Sequence, residues 1–130
     1  MAFTDTIKKA VWNKATIVEG YDQALIRKDP CGAWIMWEKY GIQDNIFGWE
    51  IDHIYPKSLL EGLGYSSDEI DDLSNLRAMQ HQNNASKGVD YPSYTAFVSS
   101  EGNKNVVRLQ NLTVNKKTRT LLNSLYPKIK

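Results

Sequence analysis

An α+β domain is what this sequence predicts, and three observations carry the prediction. The 130 residues are 42% hydrophobic and 24% charged, ordinary globular composition at a length that suits one domain with its own core. Apolar residues recur at steps of four near the N-terminus, and a second amphipathic stretch lies near the C-terminus, the spacing of helices. Between them, residues 33–54 are rich in aromatic and β-branched side chains and alternate apolar with polar toward their end, the pattern of strands.

Helix is expected from Thr4 to about Gly20, because Thr4 or Asp5 can cap it and Ile7, Val11 and Ala15 share a face beside Trp12. Pro30-Cys31-Gly32 reads as a turn and Ala33 to Trp37 as a strand. Gly41 and Gln43-Asp44-Asn45 make the next turn. Phe47 to Ile54 is then a second strand ending before Pro56, so residues 33–54 are expected to pair as a hairpin. Residues 59–74, with two glycines, three serines and the acidic cluster Asp68, Glu69, Asp71 and Asp72, read as a solvated surface loop with at most one helical turn. Leu76 to Met79 is a short strand, His81 to Lys87 a helix closed by Gly88, and Tyr94 to Ser99 a short helix. Val106 to Leu109 is an apolar patch, and Lys117 to Leu125 is amphipathic as far as Pro127. No repeat, low-complexity tract or clear linker divides the chain, so residues 1–130 are expected to form a single domain.

No apolar run approaches the length of a membrane span, and the N-terminus lacks a basic stretch followed by an apolar one. A cytoplasmic protein with no membrane partner is expected. Cys31 is the single cysteine, so there is no internal disulfide, and with only His53 and His81 beside it a four-ligand structural zinc site is excluded. Charge is unevenly placed. Residues 1–103 hold nine Lys/Arg and all fifteen Asp/Glu, a formal −6, while residues 104–130 hold seven Lys/Arg and no acid, a formal +7. A basic segment on an acidic body is what a chain that meets nucleic acid or an acidic partner shows, and equally what a solvated helix and tail shows.

Three polar groups stand where a core has no need of them: Asp52-His53 at a strand end, Asn75 after the acidic loop, and Asn84 with Lys87 in the short helix. A carboxylate holds hard divalent cations and an imidazole takes protons from water. Adjacent strand residues point to opposite faces, so Asp52 and His53 serve one site only where the strand ends or twists, which Pro56 allows.

From Asp52 the chain runs D-H-I-Y-P-K-S, then a loop, then N-L-R-A-M-Q-H-Q-N-N-A-S-K-G from Asn75 to Gly88. This joint pattern resembles the HNH endonuclease signature, in which a strand-end D/H-H-I-x-P, a middle Asn before Leu, a final His or Asn nine positions later and a Lys three beyond it build a ββα-metal motif. Arg27 to Ile35 and Tyr40 to Ile54 are similar to the lead-in of small bacterial HNH proteins, and the likeness covers about residues 27–90, half the chain. The resemblance implies a ββα-metal core over about residues 47–90, with an N-terminal helix, a preceding β-hairpin and further C-terminal helical and strand segments. It implies Asp52 and Asn84 as ligands of Mg²⁺ or Mn²⁺, His53 as general base, and Asn75 as the residue that pins the loop and orients that base. The implied reaction is metal-dependent hydrolysis of a phosphodiester, with DNA as the favoured substrate, leaving 5′-phosphate and 3′-hydroxyl ends.

Arg77 and Lys87 beside the motif, and Arg108, Lys116, Lys117 and Arg119 in the basic segment of residues 104–130, are the candidate phosphate contacts. Many family members also hold a structural zinc through two Cys-x-x-Cys pairs. The second pair would fall at Gln80 and Asn83, so that zinc is absent and packing of Trp34, Trp37 and Trp49 is expected to replace it. His81, three residues before Asn84, has the spacing of a further ligand, although the family pattern asks for none there. Two rival readings stand beside the nuclease: a non-catalytic nucleic-acid-binding module of the same fold, and a structural or partner-binding domain. Nothing in the sequence indicates an immunity partner or fixes the oligomeric state.

Overall fold

Thr4 caps the first helix, α1 (Asp5–Trp12), by accepting the Ile7 N–H at 3.2 Å. The computed structural model describes residues 3–129; Met1 and Ala2, part of the stretch read for a leader, and Lys130, the last cation of the basic segment, lie outside the described residues. α1 stops at Trp12 and does not reach Gly20. The Arg27 guanidinium donates to the carbonyls of Asn13 and Ala15 at 3.2 and 3.0 Å, and Thr16 bridges to Lys28. The β-branched run Thr16-Ile17-Val18 therefore passes alongside a strand and leaves the helix behind.

The expected hairpin over residues 33–54 does not form. β2 (Trp34–Met36) pairs backward with β1 (Ile26–Lys28), and β3 (Trp49–His53) pairs forward with β4 (Leu76–Gln80), placing Asp52 opposite Arg77 and His53 opposite Leu76. Asp29 explains the first pairing. Its Oδ1 accepts from the N–H groups of Cys31 and Ala33 at 2.8 and 2.9 Å and closes Pro30-Cys31-Gly32 into a tight reversal that sets β2 beside β1. Between β2 and β3 the chain doubles back so closely that a Cβ on Gly48 would lie 1.7 Å from the Ile42 carbonyl oxygen.

Residues 59–74 are more ordered than a loop. They carry most of α2 (Lys57–Gly62), all of α3 (Ser67–Ile70) and a 3-10 turn at Leu73–Asn75, with Ser66 and Glu69 forming a reciprocal capping box at the start of α3. α4 (His81–Lys87) follows β4 directly, capped by the Gln80 side chain and closed at Gly88 with φ 53°. Tyr94 to Ser99 form no helix; they belong to β5 (Ser93–Glu101), paired with β6 (Lys104–Thr113). Tyr94, Ala96 and Val98 are buried in alternation, the period of two that a strand requires. α5 (Lys116–Leu125) ends before Pro127. The described residues thus make an α+β fold of five helices and three two-stranded antiparallel sheets, and no helix among them is long and apolar enough to cross a membrane.

The β3–β4 hairpin separates two cores. One face presents Trp49, Ile51, Leu76 and Ala78 to Val11 and Trp12 of α1, and the other sends Met79 in among Leu60, Ile70, Tyr94, Leu122 and Tyr126. Trp12, Trp37 and Trp49 pack ring against ring with centroids 5.2 to 5.9 Å apart. Trp34 lies outside this cluster, stacking on Tyr21 and donating its indole N–H to the Gly102 carbonyl.

Candidate functional site

The three elements β3, β4 and α4 place the residues singled out above. β3 ends at His53, the backbone turns through Ile54 to Pro56, and α4 lies against the hairpin so that Asp52, His53 and Asn84 line one cavity of about 490 Å³ together with Pro56, Ser58 and Glu61. The strand end resolves the facing problem: Asp52 belongs to the α4 side, His53 to the α1 side, and the cavity opens where the strand stops.

His53 is half-buried beside Phe3, with ring centroids 6.0 Å apart, and its Nε2 lies 2.7 Å from Asp71 Oδ1. Among the described residues Nδ1 has no hydrogen-bond partner. An imidazole whose Nε2–H is donated to a carboxylate carries its lone pair on Nδ1, the form of a general base. Asn75, wholly buried, accepts the Tyr55 N–H at 2.8 Å and donates to the carbonyls of Tyr55 and Ile70 at 3.2 Å each. It clamps the turn after His53 to the end of α3, from which Asp71 follows.

Asp52 is 4% exposed and sits between two cations. Arg77 Nε donates to its Oδ2 at 3.0 Å, and Lys87 Nζ lies 3.4 Å from its Oδ1. Lys87 also donates to the His53 carbonyl at 3.2 Å. Burial pushes its ammonium below the ordinary lysine range, and the Asp52 charge opposes that. With its side chain wholly buried, Lys87 is not placed to contact a phosphate at the surface, which corrects the expectation from its position on the helix. The Nδ2 of Asn84 donates to Glu50 Oε1 at 2.8 Å, which leaves Oδ1 as the open acceptor of that amide.

The donor set for a cation is therefore a carboxylate and an amide oxygen, hard ligands of the kind Mg²⁺ and Mn²⁺ take. Both Asp52 oxygens already face a cation, Arg77 at 3.0 Å and Lys87 at 3.4 Å, so Asp52 could take a metal only beside those two charges. No group of three His, Cys, Asp or Glu side chains converges on a metal position among the described residues. His81 is turned elsewhere, its Nε2 3.0 Å from the Asn45 carbonyl oxygen. Cys31 is buried, and that burial pushes its thiol up to about 12.

Two members of the arrangement escaped the sequence reading. Asp71 falls in the stretch that reads as a solvated surface loop, yet the capping box at Ser66 and Glu69 starts a helix that brings it to His53. Glu50, two residues before Asp52 and so on the same strand face, orients the Asn84 amide. The S-x-x-E spacing signalled the first, and the period of two signalled the second. No described residue of the basic segment lines this cavity: Arg108 pairs with Glu101 at 3.4 Å on the β5–β6 hairpin, Lys116 and Lys117 are exposed in the first turn of α5, and Arg119 Nε donates to the Val114 carbonyl at 2.9 Å. No family model, curated protein or solved structure matches the chain.

Proposed function

We propose that this protein is a divalent-metal-dependent endonuclease of the HNH type, hydrolysing phosphodiester bonds in nucleic acid, with DNA as the favoured substrate. One observation carries the proposal: the positions that the resemblance assigns to the metal and the base, Asp52, Asn84 and His53, line a single cavity at the end of a strand, strand, helix unit. His53 acts as general base through Nδ1 while Asp71, on Nε2, balances the charge the ring acquires. Water attacks phosphorus in line as its proton passes to His53, the bond to the 3′ oxygen breaks, that oxygen takes a proton from a solvent water, and His53 returns its proton to solvent. The products are 5′-phosphate and 3′-hydroxyl ends. Asn75 keeps the base in place by holding both the turn that follows it and the helix that precedes Asp71. Asp52 and the Asn84 Oδ1 would hold a Mg²⁺ or Mn²⁺ ion, whose chemistry would be to neutralise charge on the phosphate and the departing oxygen.

A non-catalytic nucleic-acid-binding module is the second reading, favoured by the compensation of Asp52 by Arg77 and Lys87. Supercoiled plasmid incubated with Mg²⁺, Mn²⁺ or EDTA separates the two. The nuclease nicks it with metal only, and the His53→Ala variant keeps its fold and its DNA retardation but loses cutting. Salt-dependent retardation by both proteins with no cutting in any metal selects the binding module.

A further inference from the structure

A second cavity, of about 520 Å³, opens on the other side of the Asp52–Arg77 pair. Its lining joins Lys14 from the segment after α1, Ser74 from the 3-10 turn, Arg77 from β4, Thr113 from the end of β6, and Asn115 and Thr118 at the start of α5. Two cations and no acid stand in that lining, and the rest of its wall is apolar or aromatic, including Ile54, Tyr94 and Leu121.

The cations are incompletely partnered. Arg77 gives its Nε to Asp52 and lies over the Tyr94 ring at 5.2 Å, while its Nη2 is buried with no hydrogen-bond partner. A buried charged donor left unmade is costly and points to a missing acceptor. Lys14 Nζ donates to the Leu73 carbonyl at 2.7 Å and to that of Leu76, which holds the ammonium at the cavity wall with one proton uncommitted. Burial and the Arg77 charge both push Lys14 below the ordinary lysine range, with Asp72 opposing them. Asp72 is outside the lining, and its Oδ1 accepts the Ser74 N–H at 2.9 Å. α5 reaches the lining through Asn115 and Thr118, with the Thr118 N–H already accepted by Asn115 Oδ1 at 2.8 Å.

From this convergence we infer that the cavity binds a phosphoryl group carried on an apolar or aromatic body, the phosphate meeting the Arg77 guanidinium and Lys14 and the body lying against Tyr94, Ile54 and Leu121. A free mononucleotide and a nucleotide within a nucleic-acid strand share this chemistry. Arg77 lines this cavity while its Nε holds Asp52, which lines the other, so an anion here shares the guanidinium with Asp52. The site does not depend on cleavage, since His53 is not part of its lining.

Inorganic phosphate, a nucleoside monophosphate and a short single-stranded oligonucleotide, each titrated against a chloride control of equal ionic strength, test the site by calorimetry and thermal shift. Two variants accompany the wild type: Lys14→Gln, and Leu121→Glu, which puts an acid at the wall from a position 49% exposed and so spares the fold. The monophosphate is expected to bind more tightly than phosphate alone, and both variants to lose at least tenfold in its affinity. His53→Ala should bind as the wild type does, whether or not the wild type cuts DNA. Binding of the oligonucleotide but not the monophosphate assigns the site to a strand, and binding of both assigns it to the nucleotide unit. Absence of binding above chloride by all three probes, or Leu121→Glu binding the tightest of them as the wild type does, overturns the inference.

Discussion

The carboxylate of Asp71 meets the imidazole of His53 at 2.7 Å across eighteen residues of chain, tying the last residue of β3 to the residue that follows α3. A base in which one ring nitrogen is held by an acid keeps the other in a fixed direction with a fixed tautomer. Asp71→Ala is expected to lower kcat for plasmid nicking by about tenfold or more while KM stays near the wild-type value, because positioned proton transfer contributes factors of this order and above. Asp71→Glu should recover part of the loss. A change in KM alone, or none in kcat, would show the pair to be structural.

Asp52 and Asn84 carry the same proposed duty on very different foundations. Asp52 compensates Arg77 and Lys87 in a buried setting, so Asp52→Ala strands two cations and is expected to cost about 3–5 kcal/mol in urea denaturation. Asn84 is half-exposed with one hydrogen bond to Glu50, and Asn84→Ala should cost about 1 kcal/mol. Loss of activity in Asn84→Ala therefore reports on the site, whereas loss in Asp52→Ala reports on the fold as well. Equal stability of the two variants would refute the ion-pair account.

The ends of the candidate motif were legible because they rest on local signals. The alternation that ends at His53 gives β3, and Gly88 closing a short polar run gives α4. Partners were not legible. Nothing in the composition of Trp34 to Met36 says that it pairs with Ile26 to Lys28 and not with residues 47–54; the side chain of Asp29 decides it by closing the turn between them. Tyr94 to Ser99 alone reads as a short helix, and only the cross-strand partner β6 gives its alternation a sheet to bury in. Lys87 shows the same limit within the site, since helical spacing set its face but the buried Asp52 set where its ammonium turned.

Asp29 stands at the centre of a buried network that meets the two positions where zinc-bearing HNH proteins, by resemblance, place a cysteine pair. Its Oδ2 accepts from the Gln80 N–H at 3.0 Å and from Asn83 Nδ2 at 3.1 Å, while Oδ1 holds Cys31 and Ala33. Asp29→Asn sets an amide donor against donors and is expected to cost about 2 kcal/mol or more. Burial pushes the Asp29 carboxyl above its ordinary value, against the pull of these hydrogen bonds. A carboxyl raised in the folded state contributes most below its unfolded pKa, near 3.8, and that contribution is lost as pH rises through the folded value. The stability advantage of the wild type over Asp29→Asn should thus narrow with rising pH when urea midpoints are compared across that range. An advantage that widens would reverse the assignment.

Lys116 and Lys117 are exposed at the start of α5, whereas Arg108 is paired with Glu101 and Arg119 is engaged with the Val114 carbonyl. If this end of α5 rides a nucleic-acid backbone, the two lysines are its free cations, and binding must release a counterion for each phosphate they neutralise. Replacing both by Gln is expected to weaken duplex binding and to make the plot of log affinity against log salt shallower by about 1.8, since each lost phosphate contact on B-DNA removes about 0.9. Arg108→Gln should change the slope less, because Glu101 already screens that charge. Fluorescence anisotropy across a salt series reads both. An unchanged slope in the double variant would take the backbone contact away from α5, and with it the reason for the acid-free C-terminal charge.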